Sequence, residues 1–363
     1  MGARTDRRFQ SADTIAALPR PEGFADDWLG QVLDGRYEIQ QFLAEGGTGL
    51  VFRGVHQTLG RPVAIKVLRK EYSQLAEALE RFRREARAAT AVGNPHIVTI
   101  YDFGRLEGRQ AYVVMELLDG VELAAILERQ PQVPWTRAVD IVLQLTEGMA
   151  AAHAAGIIHR DLKPENVVLV RDPETGAPSS FVKILDFGVA KFQGAQVRLT
   201  GAGRMVGTPE YMAPEQCTGG AVDVRTDIYA LGVMLYEMLM GRLPFAGGTL
   251  EECVRQHLQD PPPAFRKVGP DIEVPSGLEK VVRRCLAKAQ DDRFGSMGEL
   301  AAALAPFLER DTTAIPLSSR RPTVKAARMS RRWALGARAA GVLGGLVAGW
   351  ARVGEALVDR ALT

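Results

Sequence analysis

Strand-like segments crowd into one stretch of this chain and helical segments into the next, and that segregation most limits its fold. From Tyr37 the runs YEIQQFLA, LVFRGVHQ and RPVAIKVLRK follow one another, rich in β-branched and aromatic residues. EALERFRREARAATAV then spaces Leu79, Phe82, Ala86 and Ala89 for one helix face, and HIVTIYDFG and AYVVMELL return to strand character. After Gly120 the segments VELAAILERQ, AVDIVLQLTEGMAAAHAAG, TDIYALGVMLYEMLMG and LEKVVRRCLAKA read as helices. Alternating strands and helices would predict a parallel sheet. This order predicts an α+β protein of two lobes.

The 363 residues are 46% hydrophobic and 24% charged, enough to bury a sizeable core. A net charge of +2 is too balanced to predict nucleic-acid binding. Its distribution is uneven: after residue 310 nine Lys/Arg face three acids, so the tail carries +6 and residues 1–310 carry −4. Cys217, Cys253 and Cys285 form no short-spaced pair, which fits reduced cytosolic thiols rather than a disulfide framework or a zinc site. Residues 1–30 are polar, with Pro19, Pro21 and Gly23, and predict a flexible lead-in without the apolar core of an export signal. Residues 311–332 form a basic linker rich in Ser, Thr and Pro.

Three motifs carry chemistry. AEGGTGLVF lies between two strand-like runs; Gly46, Gly47 and Gly49 let a hairpin backbone approach and offer N–H groups to an anion, though a plain tight turn fits them too. Lys66 ends the apolar run Val63-Ala64-Ile65, and a half-buried ammonium needs a counter-charge. Glu85 on the following helix is the obvious partner, although a solvated helix charge describes it equally well. The third motif decides the matter: His159-Arg160-Asp161-Leu162-Lys163-Pro164-Glu165-Asn166, followed by Asp186-Phe187-Gly188. Oxygen ligands of this kind suit Mg²⁺, which takes one or two carboxylates plus substrate phosphates. Asp161 can accept a hydroxyl proton while Lys163 offsets charge on a transferred group.

In this combination the chain resembles the eukaryotic-type (Hanks-type) serine/threonine protein kinases of the bacterial kind, over residues 37–308. The resemblance implies a strand-rich N-lobe over about 37–117 and a helical C-lobe over about 120–308. It implies that Gly46, Gly47 and Gly49 cover the ATP phosphates, that Val51 and Ala64 enclose the adenine, and that Met115 is the gatekeeper. Glu116 and Leu118 would offer backbone hydrogen bonds to adenine. Lys66 would hold the α- and β-phosphates and pair with Glu85; Asp161 would be the catalytic base and Lys163 would meet the γ-phosphate. Asn166 and Asp186 would hold Mg²⁺, with Mn²⁺ as a substitute. Further implied are a Glu215–Arg293 pair, bracing of the catalytic loop by Asp227, and a spine of Phe187, His159, Ile100 and Ala89. The partners implied are ATP and protein substrates.

One departure is Ala44, which stands where the family has its first loop glycine; an extended residue there predicts a modest effect on nucleotide affinity. The stretch RDPETGAPSS before Asp186 is somewhat long and predicts a surface turn joining two strands. A P-loop NTPase is excluded, because no lysine in the chain follows a glycine. A pseudokinase scaffold would lack a catalytic group, whereas Lys66, Glu85, Asp161, Asn166 and Asp186 are all present. Lys163 and Thr208 point to Ser/Thr rather than Tyr acceptors. Arg160 could bind a phosphorylated activation segment; Thr200 and Thr208 are its hydroxyl candidates, and Thr200 is the choice because Thr208 is committed to the substrate-facing loop.

The C-terminal tail, 333–363, is rich in Gly and Ala. Its uncharged run 339–351 has 13 residues, about 20 Å as a helix against a ~30 Å hydrocarbon core. Gly341, Gly345 and Gly349 recur every four residues, a seam that lets membrane helices approach. Arg331, Arg338, Arg352 and Asp359 instead mark the wet face of an amphipathic helix. Three expectations stand: a short anchor holding a cytoplasmic kinase to the inner face of the membrane, an interfacial helix, and a self-association helix.

Overall fold

The computed structural model describes residues 26–46, 49–69, 92–106, 110–172, 175–176, 178–186 and 209–311. The first lobe is one antiparallel sheet built from β1 (Val32–Leu33), β2 (Tyr37–Glu45), β3 (Gly49–His56), β4 (Arg61–Leu68), β5 (Ile100–Arg105) and β6 (Ala111–Glu116). Its strand order is β1-β2-β3-β4-β6-β5. Alternation aims Ile39, Phe52 and Ile65 at one side, where all three are fully buried with Tyr37, Val63, Tyr112 and Val114. Gly54 is required there, since a Cβ would come within 2.5 Å of both the Glu38 carbonyl and the Ile65 side chain.

Residues 26–30 depart from the predicted flexible lead-in. Trp28 is buried in the same core, its ring 6.5 Å from that of Phe52. Gly30 N–H donates to the Ile39 carbonyl at 2.8 Å, and Ile39 N–H to the Gln31 carbonyl at 2.9 Å, so this entry segment is fastened to β2. A single tryptophan in a polar stretch has no periodicity to reveal it.

The second lobe opens with β7 (Gly120–Glu122), then α1 (Leu123–Arg129) and α2 (Trp135–Ala154). β8 (Val167–Arg171) and β9 (Pro178–Ile184) join β7 in a three-stranded sheet of order β7-β8-β9, and they are the two strands predicted around the long turn. Gln144 of α2 covers the outer edge of β9, accepting from Val182 N–H at 3.0 Å and donating to the Ser180 carbonyl at 2.6 Å. Helices then follow: α3 (Pro214–Thr218), α4 (Val224–Met240), α5 (Leu250–Gln259), α6 (Phe265–Val268), α7 (Ser276–Cys285) and α8 (Met297–Asp311).

α4 is the axis of this lobe. Fourteen of its seventeen residues are buried, and a helix apolar nearly all round must be surrounded by others. Asp223 caps its N-terminus through Arg225 N–H, and Gly241, at φ 68°, ends it in the left-handed conformation. At Gly232 a Cβ would lie 2.5 Å from the Cys285 Cβ, so the glycine lets α7 lie against α4. α2 presents Ala138, Val139, Ile141, Val142, Leu145, Met149 and Ala152 to the same core.

β9 also ties the lobes together. Ile184 N–H donates to the His96 carbonyl at 2.8 Å and Val98 N–H to the Ile184 carbonyl at 3.0 Å, a parallel bridge between Ile97 and Ile184. Beside it, Lys183 Nζ meets Glu116 Oε1 at 2.5 Å, and Thr99 N–H donates to that same oxygen at 2.7 Å.

His257 of α5 lies fully buried against Phe245 and Tyr229, its Nδ1 2.9 Å from the Tyr229 hydroxyl. Burial, reinforced by the Lys288 charge, pushes its imidazole down from 6.5 to about 4. The unfolded chain therefore takes up a proton that the folded chain refuses as pH falls from 6.5 towards 4. Stability should fall through that window by about 3 kcal/mol on this account. Urea unfolding between pH 7 and 4 should show the slope, and His257→Gln should flatten it.

Candidate active site

The loop between α2 and β8 carries the decisive motif, and its geometry is fixed from below. Asp227, in the first turn of α4 and 1% exposed, accepts His159 N–H at 2.9 Å through Oδ2 and Arg160 N–H at 2.8 Å through Oδ1. His153 Nε2, at the end of α2, lies 2.8 Å from the same Oδ2. A buried carboxylate is tolerated only when its oxygens are satisfied in this way. The bracing predicted for Asp227 is therefore present, and His153 is an addition to it. Fully buried His159 places Nε2 2.9 Å from the Leu185 carbonyl, joining this loop to the segment that enters Asp186.

Arg160 and Asp186 both adopt left-handed backbone, at φ 64° and 47°. Non-glycine residues hold such values only where their surroundings over-determine them. Asp161 follows Arg160, with Lys163 Nζ 3.9 Å from its Oδ2. Asn166, nearly buried, donates from Nδ2 to the Asp161 carbonyl at 2.7 Å, which leaves its amide oxygen as the remaining ligand atom.

Lys66, on β4 and 12% exposed, reaches Asp186 Oδ2 at 2.6 Å. Burial raises the Asp186 carboxyl, but the charge and hydrogen bond of Lys66 outweigh it, helped by His159 and Lys163, and hold it below the usual carboxylate range. Asp186 is thus an anion, and with the Asn166 oxygen it makes a hard, two-residue oxygen donor set whose chemistry fits a divalent cation completed by phosphates. Among the described residues no group of three or more His, Cys, Asp or Glu gathers as a metal cage.

Of the glycine-rich hairpin, Gly46 N–H donates to the Gly49 carbonyl at 2.9 Å across the turn. Gly49 has a further reason to be glycine: a Cβ would stand 2.1 Å from the Val67 carbonyl of β4. Ala44 is extended within β2, as expected, and its strand partner is Val51. Val51 stands opposite Lys66, and Ala64 opposite Met115, so by strand alternation these residues share one face of the sheet with the lysine. Glu116 closes β6, and Leu118 follows in the strap leading to β7. Gly47, Glu85, Ala89, Phe187, Thr200, Thr208 and the tail lie outside the described residues.

A second frame holds the floor. Glu215 receives Arg293 in a two-pronged pair at 2.9 and 2.8 Å, and the Thr226 hydroxyl at 2.7 Å. Arg293 is fully buried, and its remaining donors reach the carbonyls of Ala287, Arg225 and Lys288, so its whole fork is used. Burial raises the Glu215 carboxyl, while hydrogen bonds from Arg293 and Thr226 carry it below its ordinary 4.5. Gln216 donates from Nε2 to the Arg160 carbonyl at 2.9 Å and accepts from Ala213 N–H at 3.0 Å. Tyr211 donates to Glu237 at 2.6 Å. The family resemblance implied the Glu215–Arg293 pair; nothing pointed to the roles of Gln216, His153, Tyr211 or Lys183.

A curled antiparallel sheet over a helical lobe, with Lys66, Asp161, Asn166 and Asp186 gathered where they meet, defines an enzyme of the protein-kinase type. Residues 37–304 match the protein kinase domain, and the chain belongs to that family. It is 42% identical over 280 residues to the serine/threonine-protein kinase Pkn1 of Myxococcus xanthus, covering 77% of this chain and 39% of Pkn1. To the serine/threonine-protein kinase PknA of Mycobacterium tuberculosis it is 38% identical over 281 residues, covering 76% of this chain and 62% of PknA. The kinase domain of Mycobacterium tuberculosis PknI superposes with a TM-score of 0.59 at 30% identity, covering 76% of this chain and 97% of that domain. The chain spans 39–62% of the length of these curated relatives. Among the described residues no helix is long and apolar enough to cross a membrane.

Arg293→Met should leave Glu215 as an unpaired buried charge and cost about 3–5 kcal/mol. In the unaltered chain the Glu215 contribution is present above its usual 4.5 and lost as pH falls through its depressed folded value. Without Arg293 burial dominates, the carboxyl rises, and acid unfolding should begin nearer neutrality. Urea titrations at pH 7 and 5 check both.

Proposed function

We propose that this chain is a serine/threonine protein kinase that transfers the γ-phosphoryl group of ATP to protein hydroxyls. The observation that carries the reading is the catalytic loop: Asp161 and Lys163, 3.9 Å apart, on a backbone pinned by Asp227 beside the Lys66–Asp186 pair. A loose phosphoryl-transfer transition state asks for positioning and charge neutralisation rather than covalent help. Asp161 orients the acceptor hydroxyl and takes its proton, and Lys163 neutralises the transferred group. Lys66 holds the α- and β-phosphates, with Glu85 as its second partner, under the cover of Gly46, Gly47 and Gly49. Val51 and Ala64 enclose the adenine behind Met115, and the backbones of Glu116 and Leu118 hydrogen-bond it. Mg²⁺, or Mn²⁺ in its place, would be held by Asn166 and Asp186 and would offset phosphate charge.

Switching falls to Arg160. Its Nε is buried without a hydrogen-bond partner among the described residues, which supports an anion as its missing neighbour. Phosphorylated Thr200 is that anion in this reading, placed there by autophosphorylation, while Thr208 serves the acceptor-facing loop. The basic linker 311–332 and the tail 333–363 attach the kinase to the inner face of a membrane, or to a second copy.

Asp161→Asn should keep nucleotide binding yet lose at least 100-fold in turnover, on the order of what a positioned base supplies; Lys66→Met should weaken nucleotide binding as well. Wild-type labelling rates in both variants would refute the assignment. Mass spectrometry of the same wild-type reactions should find phosphate on Thr200. For the tail, full-length protein should sediment with membranes and be released by detergent, whereas a chain ending at Arg310 should remain in the supernatant.

A further inference from the structure

We propose that Gln216 is a positioning residue for catalysis, its side-chain amide holding the Arg160 carbonyl and thereby the approach of Asp161. The inference rests on the assignment of Asp161 as the base. Asp161 sits one peptide bond beyond a residue at φ 64°, a value an arginine keeps only under constraint from both sides. On the near side Asp227 accepts Arg160 N–H at 2.8 Å. On the far side Gln216 Nε2 donates to the Arg160 carbonyl at 2.9 Å. That carbonyl lies in the plane of the peptide that contains Asp161 N and ends on Asp161 Cα, so fixing it fixes the direction in which Asp161 leaves the loop.

Gln216 makes its second bond at the N-terminus of its own helix, α3, where Oε1 accepts the N–H of the capping residue Ala213 at 3.0 Å. One amide therefore caps α3 and holds the loop, and among side chains of this length only glutamine offers both a donor and an acceptor. Glutamate, ionised, keeps the acceptor and loses the donor. Methionine loses both. The two functions can thus be separated by substitution at one position. None of the hydrogen bonds of Gln216 reaches Lys66, Gly46 or Asp186, so the nucleotide pocket should not register its loss.

The test uses the full-length chain with Gln216→Glu, Gln216→Met and Asp161→Asn, measuring thermal unfolding and initial rates over a range of ATP concentrations on a generic protein substrate. Misplacing a catalytic group by a fraction of an ångström to an ångström costs about ten- to a hundredfold in rate. Both Gln216 variants should lose about tenfold in kcat with KM for ATP within about twofold of wild type. Only Gln216→Met, which also loses the cap, should show a lowered Tm. Gln216→Glu retaining wild-type kcat while Gln216→Met loses both rate and Tm would reduce the residue to a helix cap and overturn the proposal. So would a rise in KM for ATP matching the fall in kcat. If Asp161→Asn turned over like wild type, the base assignment itself would fall; an inactive Asp161→Asn beside a fully active Gln216→Glu would sink only the role of Gln216.

Discussion

The geometry of the loop proposed to be catalytic hangs on one buried carboxyl group, that of Asp227. Asp227 enters the molecule on the most buried helix of the C-lobe and spends both oxygens on the loop that carries Asp161. A buried polar group in that position is destabilising unless its hydrogen bonds are made, so the loop and the helix choose their relative placement together. The apolar surface of α4 sets where Asp227 lies, and Asp227 sets where the backbone of His159 and Arg160 lies. The position of the loop that carries Asp161 is thereby inherited from the packing of the core.

The other elements complete this frame from different sides. Arg293 and Glu215 fix the start of α3, and Gln216 carries that placement to the carbonyl of Arg160. From the sheet, β4 delivers Lys66 to Asp186, and close approach of β3 at Gly49 keeps the glycine-rich hairpin near that lysine. Residues 96–99 and the Lys183–Glu116 pair join β6 to β9, three residues before Asp186. The strap proposed to read adenine and the carboxylate proposed to hold the metal are therefore mechanically connected.

How much of this was legible in the sequence depends on whether the signal was contiguous. The two-lobed α+β organisation, the six-residue span from Asp161 to Asn166, and the strands around Lys66 could be read because each is a local pattern. Trp28 and the short strands β1 and β7 could not, since two or three residues carry no period. Asp227, Glu215 and Arg293 were reached through the family resemblance, as their pairings span tens of residues. Gln216, His153 and Lys183 were missed for the same reason without that help: each acts through long-range hydrogen bonds, one each for Gln216 and His153 and two for Lys183, that leave no trace in spacing. Lys66 was expected to find its counter-charge at Glu85, outside the described residues; the partner the structure supplies is Asp186, which sits 120 positions further along the chain.

Amide hydrogen exchange across residues 157–162 in the full-length chain and in Asp227→Asn tests the central dependence most directly. The account predicts that the amides of His159 and Arg160 are protected in the unaltered chain and exchange at least tenfold faster in Asp227→Asn, while α2 and α4 keep their protection and turnover falls. Unchanged protection at those two amides, or turnover that survives their loss, would contradict it.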